Sequence, residues 1–240
     1  MTTGLLLPNE DDAIFVPPPR PSLKTEELLS AHLEQVTFLE AKKRRGKTLS
    51  MVCMAYWFRE LFGLNIICVG SRMGIRPEFG PYQFLDEKEF IAQLDSISEV
   101  SKRSTEKELE KNVEEVLEKM GVRLYRSAMF FDEAYKLFEA RAAMDKLVRL
   151  FGYFVAQSAH YHVTIVMSSP NRLMLDRRVR QQIDWWGRCF YIPRMKKSIV
   201  RFMQGLEHWK MTVDGPRYFP MYDSWTLLGY RQSQLNIGTV

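Results

Sequence analysis

Three pairs of polar residues follow apolar runs. Lys47-Thr48 stand a short loop beyond "VTFL" (36–39), Asp132-Glu133 follow "AMFF" (128–131) directly, and Ser168-Ser169 follow "TIVM" (164–167). These types suit one kind of chemistry. A lysine ammonium neutralises phosphate oxygens, and a threonine hydroxyl beside it ligates a hard cation such as Mg²⁺. A carboxylate at a strand end faces the same cation, here Asp132, with a water between them. A second carboxylate next to it, Glu133, can take a proton from an attacking water. A hydroxyl ending another strand, from Ser168 or Ser169, can sense the terminal phosphate. Together they are the parts of a phosphoanhydride hydrolysis site.

The loop before Lys47 bears this out in part. A phosphate-binding loop reads G-x-x-x-x-G-K-[ST], and its backbone N–H groups cradle the phosphates at a helix N-terminus. Residues 41–48 read "AKKRRGKT", so Gly46, Lys47 and Thr48 match while Ala41 replaces the first glycine. A methyl group fits there if the backbone is not forced to positive φ. The intervening Lys42, Lys43, Arg44 and Arg45 are all cationic. Most of them are expected to face solvent, with Arg45 the first choice to touch phosphate oxygens and stabilise transition-state charge. The nucleotide set is therefore Ala41 through Leu49, with a nucleotide's phosphates and Mg²⁺ as the bound species.

The elements that must position these residues follow from periodicity. Residues 35–40 and 65–70 read as buried strands, as do 127–134 and 162–169. From Thr48 to Phe62, apolar residues at 49, 52, 55, 56 and 58 follow a helical spacing, and Gly63 stands where a C-terminal cap belongs. A short helix is expected at 25–34 and a longer one over about 139–158. Residues 71–85 read as a glycine- and proline-rich loop. Residues 86–119 carry eleven acids and six bases, which predicts a solvated helical insertion with a capping box at Thr105 and Glu108. Leu109, Val113, Val116, Leu117 and Met120 form its apolar stripe. "RCFYIPR" (188–194) predicts a strand, and the alternation after 198 predicts more, with turns at Asp214-Gly215-Pro216. Strands alternating with helices argue for an α/β fold with a mostly parallel sheet.

Composition bounds the rest. A chain of 240 residues with 46% hydrophobic content can bury one α/β core. The net charge of +5 is mild, but residues 172–201 hold nine bases and two acids, a local +7, which leaves the remainder at −2. Cys53, Cys68 and Cys189 form no CxxC pair, so buried thiols in a reducing compartment are expected. His160 and His162 have no acidic or thiol neighbour in sequence, so a role at the entry of a strand is favoured over metal binding. No signal peptide or membrane-spanning run of about 18 apolar residues is visible. "VPPPRPS" (16–22) predicts that residues 1–24 form an extended arm rather than a packed element.

An acidic strand end followed at once by glutamate marks the additional-strand division of P-loop ATPases. Within it, "AKKRRGKT" (41–48), "MFFDEAYKLFEAR" (129–141) and "HYHVTIVMSSPNRLMLDRRVR" (160–180) resemble the FtsK/HerA superfamily. The nearest likeness is to viral genome-packaging ATPases and to zonular-occludens-toxin-like assembly ATPases of filamentous phages. "MYDSW" (221–225) resembles the tyrosine-led segment late in the same domain. The chain departs from the pattern at Ala41, at Ser169 where many relatives have glutamine, and at Ser158-Ala159 where relatives have arginine-histidine.

The resemblance implies a single P-loop ATPase domain over 25–240, with a mostly parallel central sheet flanked by helices. It implies ATP hydrolysis with Mg²⁺, double-stranded DNA as the cargo, a pentameric or hexameric homo-oligomeric ring, and a capsid or portal-vertex partner. It also implies location in a host cytoplasm or with the virion. In such rings a neighbour's arginine enters the active site, which makes Arg178 and Arg180 the favoured candidates, with Arg177 beside them. The same basic cluster could instead contact DNA phosphates, and Trp185 and Trp186 could stack on bases or pack in a core. Arg141 could reach the site or pair with an acid. The alternatives are a Zot-like assembly ATPase acting with a membrane partner and, on the strength of Ala41, a P-loop-fold assembly protein without turnover.

Overall fold

The computed structural model describes residues 16–71, 73–103, 124–139 and 146–222. The predicted capping box at 105–108, the stripe at 109–120, Arg141 and residues 223–225 lie outside them, as do the first fifteen residues of the expected arm.

Apolar runs with no polar alternation cannot face water on either side, so they form interior parallel strands covered by helices on both faces. This is the condition of β1 (Val36–Glu40), β4 (Ser127–Phe131) and β5 (Thr164–Ser169), which are buried along nearly their whole length. β2 (Asn65–Val69) pairs with β4, and the short β3 (Gln83–Leu85) closes that edge. Beyond β1 lie β6 (Trp185–Ile192), β7 (Lys197–Gln204) and β8 (Glu207–Asp214). The order across the eight-stranded sheet is β3-β2-β4-β5-β1-β6-β7-β8. Pairing is parallel from β3 to β6 and antiparallel from β6 to β8. β5 thus stands between β1 and β4, the additional-strand form of the P-loop NTPase fold.

Helices cover the two faces. α1 (Leu23–Ala31) and α2 (Lys47–Phe62) lie on one, where Met51, Val52, Ala55 and Phe58 are buried. α2 ends at Gly63, whose φ of 65° is the left-handed cap expected from sequence. The other face carries α3 (Glu87–Arg103) and α4 (Lys146–Gln157), where Phe90, Phe131, Phe138 and Phe151 pack together. The Phe138 and Phe151 rings stack at 4.0 Å. Burying each such ring stabilises the fold by about 1.5–3 kcal/mol relative to exposure.

Several expectations need correction. The loop at 71–85 contains β3, a strand too short for sequence alternation to reveal. Glu139 is not helical but bridges Leu175, and the described part of the long helix begins at Lys146. Downstream of β5, the helix α5 spans Arg177–Arg180, and Trp185 belongs to β6, ahead of the strand expected from residue 188. Asp184 accepts from the Val36 backbone N–H, tying the segment to β1 before a longer helix can form. The reversal between β7 and β8 occurs at Gly205, with φ of 56°, and β8 ends at Asp214, where the single turn of α6 (Gly215–Tyr218) starts. In the arm, Pro18 is buried and Pro19–Ser22 line a cavity of about 420 Å³ with Trp57 and Met211. This part of the arm lies on its own domain.

Candidate active site

β1 delivers the loop 41–46 to the N-terminus of α2, and parallel pairing carries β5 and β4 to the same sheet edge. Glu40 pairs with Ser169 across β1 and β5, and Phe131 with Met167 across β4 and β5. Asp132 and Ser168 therefore emerge side by side, Ser168 on the strand next to β1 and Asp132 one strand further from the loop.

The hydroxyls and carboxylates converge on Asp132, which is 7% exposed. Thr48 Oγ1 donates to its Oδ2 at 2.9 Å, and Ser168 Oγ donates to its Oδ1 at 2.6 Å. The Glu133 N–H also donates to Oδ1, at 3.1 Å, and to Ser168 Oγ at 3.2 Å. Three donors to one carboxylate fix its orientation. Ser168 is thus the strand-end hydroxyl that belongs to the site. Ser169 is buried but turns away, donating to the Asn171 carbonyl at 3.0 Å.

Lys47 is 5% exposed. Its Nζ donates to the Ala41 carbonyl at 2.9 Å and stands 3.5 Å from Glu133 Oε1. Glu133 holds a left-handed backbone, with φ 55° and ψ 46°, an unfavourable state for a non-glycine residue. That turn aims its carboxylate back at the loop. Its Oε2 is buried and has no hydrogen-bond partner among the described residues. Burial, and after it the charge and hydrogen bond of Glu133, hold the Tyr135 phenol above its usual range. Tyr135 was not singled out from sequence. Tyr222, from the late tyrosine-led segment, is also raised, by burial first and then by Tyr191 and Asp132.

In the loop, positive φ belongs to Arg44 at 59° and Gly46 at 84°, not to Ala41. The methyl of Ala41 is therefore accommodated, and its N–H faces the Ser169 carbonyl at 3.4 Å. Lys42, Lys43, Arg44 and Arg45 are all exposed, as expected for most of them. Leu49 is buried under the loop. Gly46 is closed in by β7. Ser198 Oγ donates to the Gly46 carbonyl at 3.3 Å and pairs with Ser50 Oγ at 3.0 Å, and Ser50 Oγ donates to the same carbonyl at 2.8 Å. Ser50 and Ser198 were missed from sequence. The only signal was a small polar residue at an inward position of β7.

The donor set suits a magnesium ion. The Thr48 hydroxyl and an Asp132 carboxylate oxygen are hard ligands at adjacent positions, and Mg²⁺ keeps few protein ligands beside water and phosphate. Arg178 and Arg180 stand apart from this cluster in sequence order, on α5, which packs against α4. Arg177 and Arg178 are exposed, and the Arg180 Nε is buried without a partner among the described residues. His162 does enter β5, with φ of 51° and Nδ1 bonded to Glu34. No cluster of three or more His, Cys, Asp and Glu residues suited to a metal occurs among the described residues. No helix among them is long and apolar enough to cross a membrane.

No family model matches the chain, and no curated protein does. Among solved structures, it is similar to the N-terminal domain of zonular occludens toxin from Neisseria meningitidis. That match is 14% identical with a TM-score of 0.49, covering 80% of this chain and 100% of the other. It is also similar to the pCW3 conjugation coupling protein TcpA in monomer form with ATPγS. Identity there is 13% and the TM-score 0.49, covering 83% of this chain and 66% of that one. A third is the genome packaging NTPase B204 from Sulfolobus turreted icosahedral virus 2 with AMPPCP. It is 12% identical with a TM-score of 0.48, covering 75% of this chain and 96% of that one.

Proposed function

We propose that this chain is an ATP-hydrolysing motor that moves double-stranded DNA, working as a homo-oligomeric ring at a viral capsid or portal vertex in the host cytoplasm. One observation carries the hydrolytic part. Thr48 and Ser168 occupy the two oxygens of Asp132, while Glu133 beside it faces Lys47 with one carboxylate oxygen free of protein donors.

Each residue then has a task. The Lys47 ammonium rests on a backbone carbonyl, a neutral acceptor that a phosphate oxygen with full charge displaces. The backbone N–H groups of residues 42–46 and of the start of α2 receive the remaining phosphate oxygens. Thr48 directly, and Asp132 through water, would hold a Mg²⁺ ion, which would supply positive charge against the phosphate oxygens. Ser168 and the Glu133 N–H keep Asp132 from rotating. Glu133 accepts a proton from water at Oε2 as that water attacks the γ-phosphorus, and ADP leaves with the bond electrons. Arg178 or Arg180 of one subunit stabilises charge in the site of the next.

The DNA part rests on the excess of bases over 172–201. The test is phosphate release by the full chain with and without linear duplex DNA. Magnesium-dependent hydrolysis stimulated by duplex is expected. Hydrolysis indifferent to DNA would remove the motor reading and keep the enzyme, and no hydrolysis in either condition would remove both.

A further inference from the structure

The three-stranded antiparallel end of the sheet has two unlike faces. Inward residues Cys189, Val200, Phe202, Met211 and Val213 are buried against α1 and α2. The outward residues form cross-strand rows. Arg188 faces Arg201 and Arg201 faces Lys210, so three cations stand side by side across three strands. On one side of this row lies Phe190-Ile199-Thr212, and on the other Trp186-Met203-His208. Arg188, Arg201, Met203, His208 and Lys210 are exposed, and Phe190 is 41% exposed. Two acids border this face among the described residues: Asp214 at its far corner, bridged to Arg217 at 3.1 Å, and Glu40 of β1, the register partner of Arg188.

Like charges directly opposed on neighbouring strands destabilise a sheet. Here Glu40 stands beside Arg188 at one end of the row, but no acid in the row neighbours Arg201 or Lys210, and adjacent strands are only about 4.8 Å apart. Such a row is relieved by a polyanion laid across the strands. The aromatic rings of the face are not free to take bases. The Arg201 guanidinium lies over Phe190 at 5.5 Å and that of Arg172 over Trp186 at 5.1 Å. Trp185, the other candidate for stacking, is 1% exposed. The charge is presented and the rings are covered, which suits a phosphate backbone with its bases turned inward and not a single strand stacked on aromatics.

We propose that the outward face of β6–β7–β8, centred on Arg188, Arg201 and Lys210, is the surface that holds the backbone of duplex DNA. This deepens the proposed function and rests on it for the identity of the cargo. β7 also presents Ser198 to Gly46 from its inner side, so one strand separates this surface from the nucleotide loop.

The test is fluorescence anisotropy of a short mixed-sequence duplex with the nucleotide-free full chain, as salt is raised from about 50 to about 200 mM. Arg188→Gln, Arg201→Gln and Lys210→Gln are each expected to weaken binding and to lower the salt slope by about one. Arg149→Gln on α4 is expected to leave the slope unchanged. Thermal unfolding of each variant, expected to rise or stay level as the repulsion is relieved, separates lost contact from lost fold. Unchanged slopes in all three variants overturn the proposal. So does a shift of these variants toward monomer in sedimentation with unchanged DNA affinity, which assigns the face to a second copy of the chain. Loss of binding without any ATP hydrolysis in the parent chain sustains this surface while removing the motor reading.

Discussion

Gly46→Ala probes the joint between the nucleotide loop and the sheet. The residue sits at φ 84° and ψ 13°, where an L-residue costs about 1–2 kcal/mol. An added Cβ would also stand 2.4 Å from Ser198 Oγ and 2.9 Å from Ser198 Cβ. Carbon atoms in contact keep about 3.5–4.0 Å, so loop or strand must move, and overpacking of this kind costs about 1–3 kcal/mol. The sum is roughly 2–5 kcal/mol, which a domain of this size registers as a fall of some 5–15 °C in Tm. Combining the change with Ser198→Gly separates the two contributions. That partner removes both crowding atoms and leaves φ alone, so the double-mutant cycle should show a coupling of about 1–3 kcal/mol in favour of the pair. The assay is thermal or urea unfolding of the four proteins. Strict additivity would refute the packing of β7 on the loop, and a Gly46→Ala protein as stable as the parent would refute the left-handed conformation as well.

Other consequences are as direct. Burial pushes the His32 imidazole down to about 3 from its usual 6.5, so between those pH values the unfolded chain binds a proton that the folded chain refuses. Stability should therefore fall as pH drops from about 6.5 towards 3, by up to about 1.4 kcal/mol per unit, and urea unfolding of His32→Asn should show a shallower slope in that window. Thr48→Ala removes the hydroxyl on Asp132 and should raise the magnesium concentration for half-maximal hydrolysis about tenfold or more; an unchanged requirement counts against a ligand role. Ala substitution of Arg178 or Arg180 should cut hydrolysis by about 10³-fold in at least one case, and adding Glu133→Gln subunits with intact arginines should restore it. Normal hydrolysis by both arginine variants would leave α5 without the finger.

The interior strands and the loop were legible in the sequence because each is local. Unbroken apolar runs specify parallel strands wherever they occur, and a loop motif is contiguous by nature. Thr48, Asp132 and Glu133 could be paired from order alone. Which of Ser168 and Ser169 turns inward could not, because two adjacent strand residues point to opposite faces and the register of β5 on β1 and β4 decides between them. Ser198 is more than a hundred residues from Gly46 and reaches it only through the antiparallel end of the sheet. The row of Arg188, Arg201 and Lys210 was hidden for the same reason. The basic stretch was visible as a count, but sequence alone did not pair residues 188 and 201 or add Lys210, which lies outside the stretch. The short α5 ends where the bond from Val36 to Asp184 ties the segment to β1, a contact with no local signature.

The central claim is that Glu133 is the base and Lys47 the phosphate anchor of one hydrolytic site. Its most direct test measures ATP binding and phosphate release in parallel for Glu133→Gln and Lys47→Ala. Glu133→Gln should bind ATP at least as tightly as the parent, since it removes a carboxylate 3.5 Å from the Lys47 ammonium and close to incoming phosphate, and should release almost no phosphate. Lys47→Ala should fail to bind. Hydrolysis by Glu133→Gln at the parent rate would contradict the account.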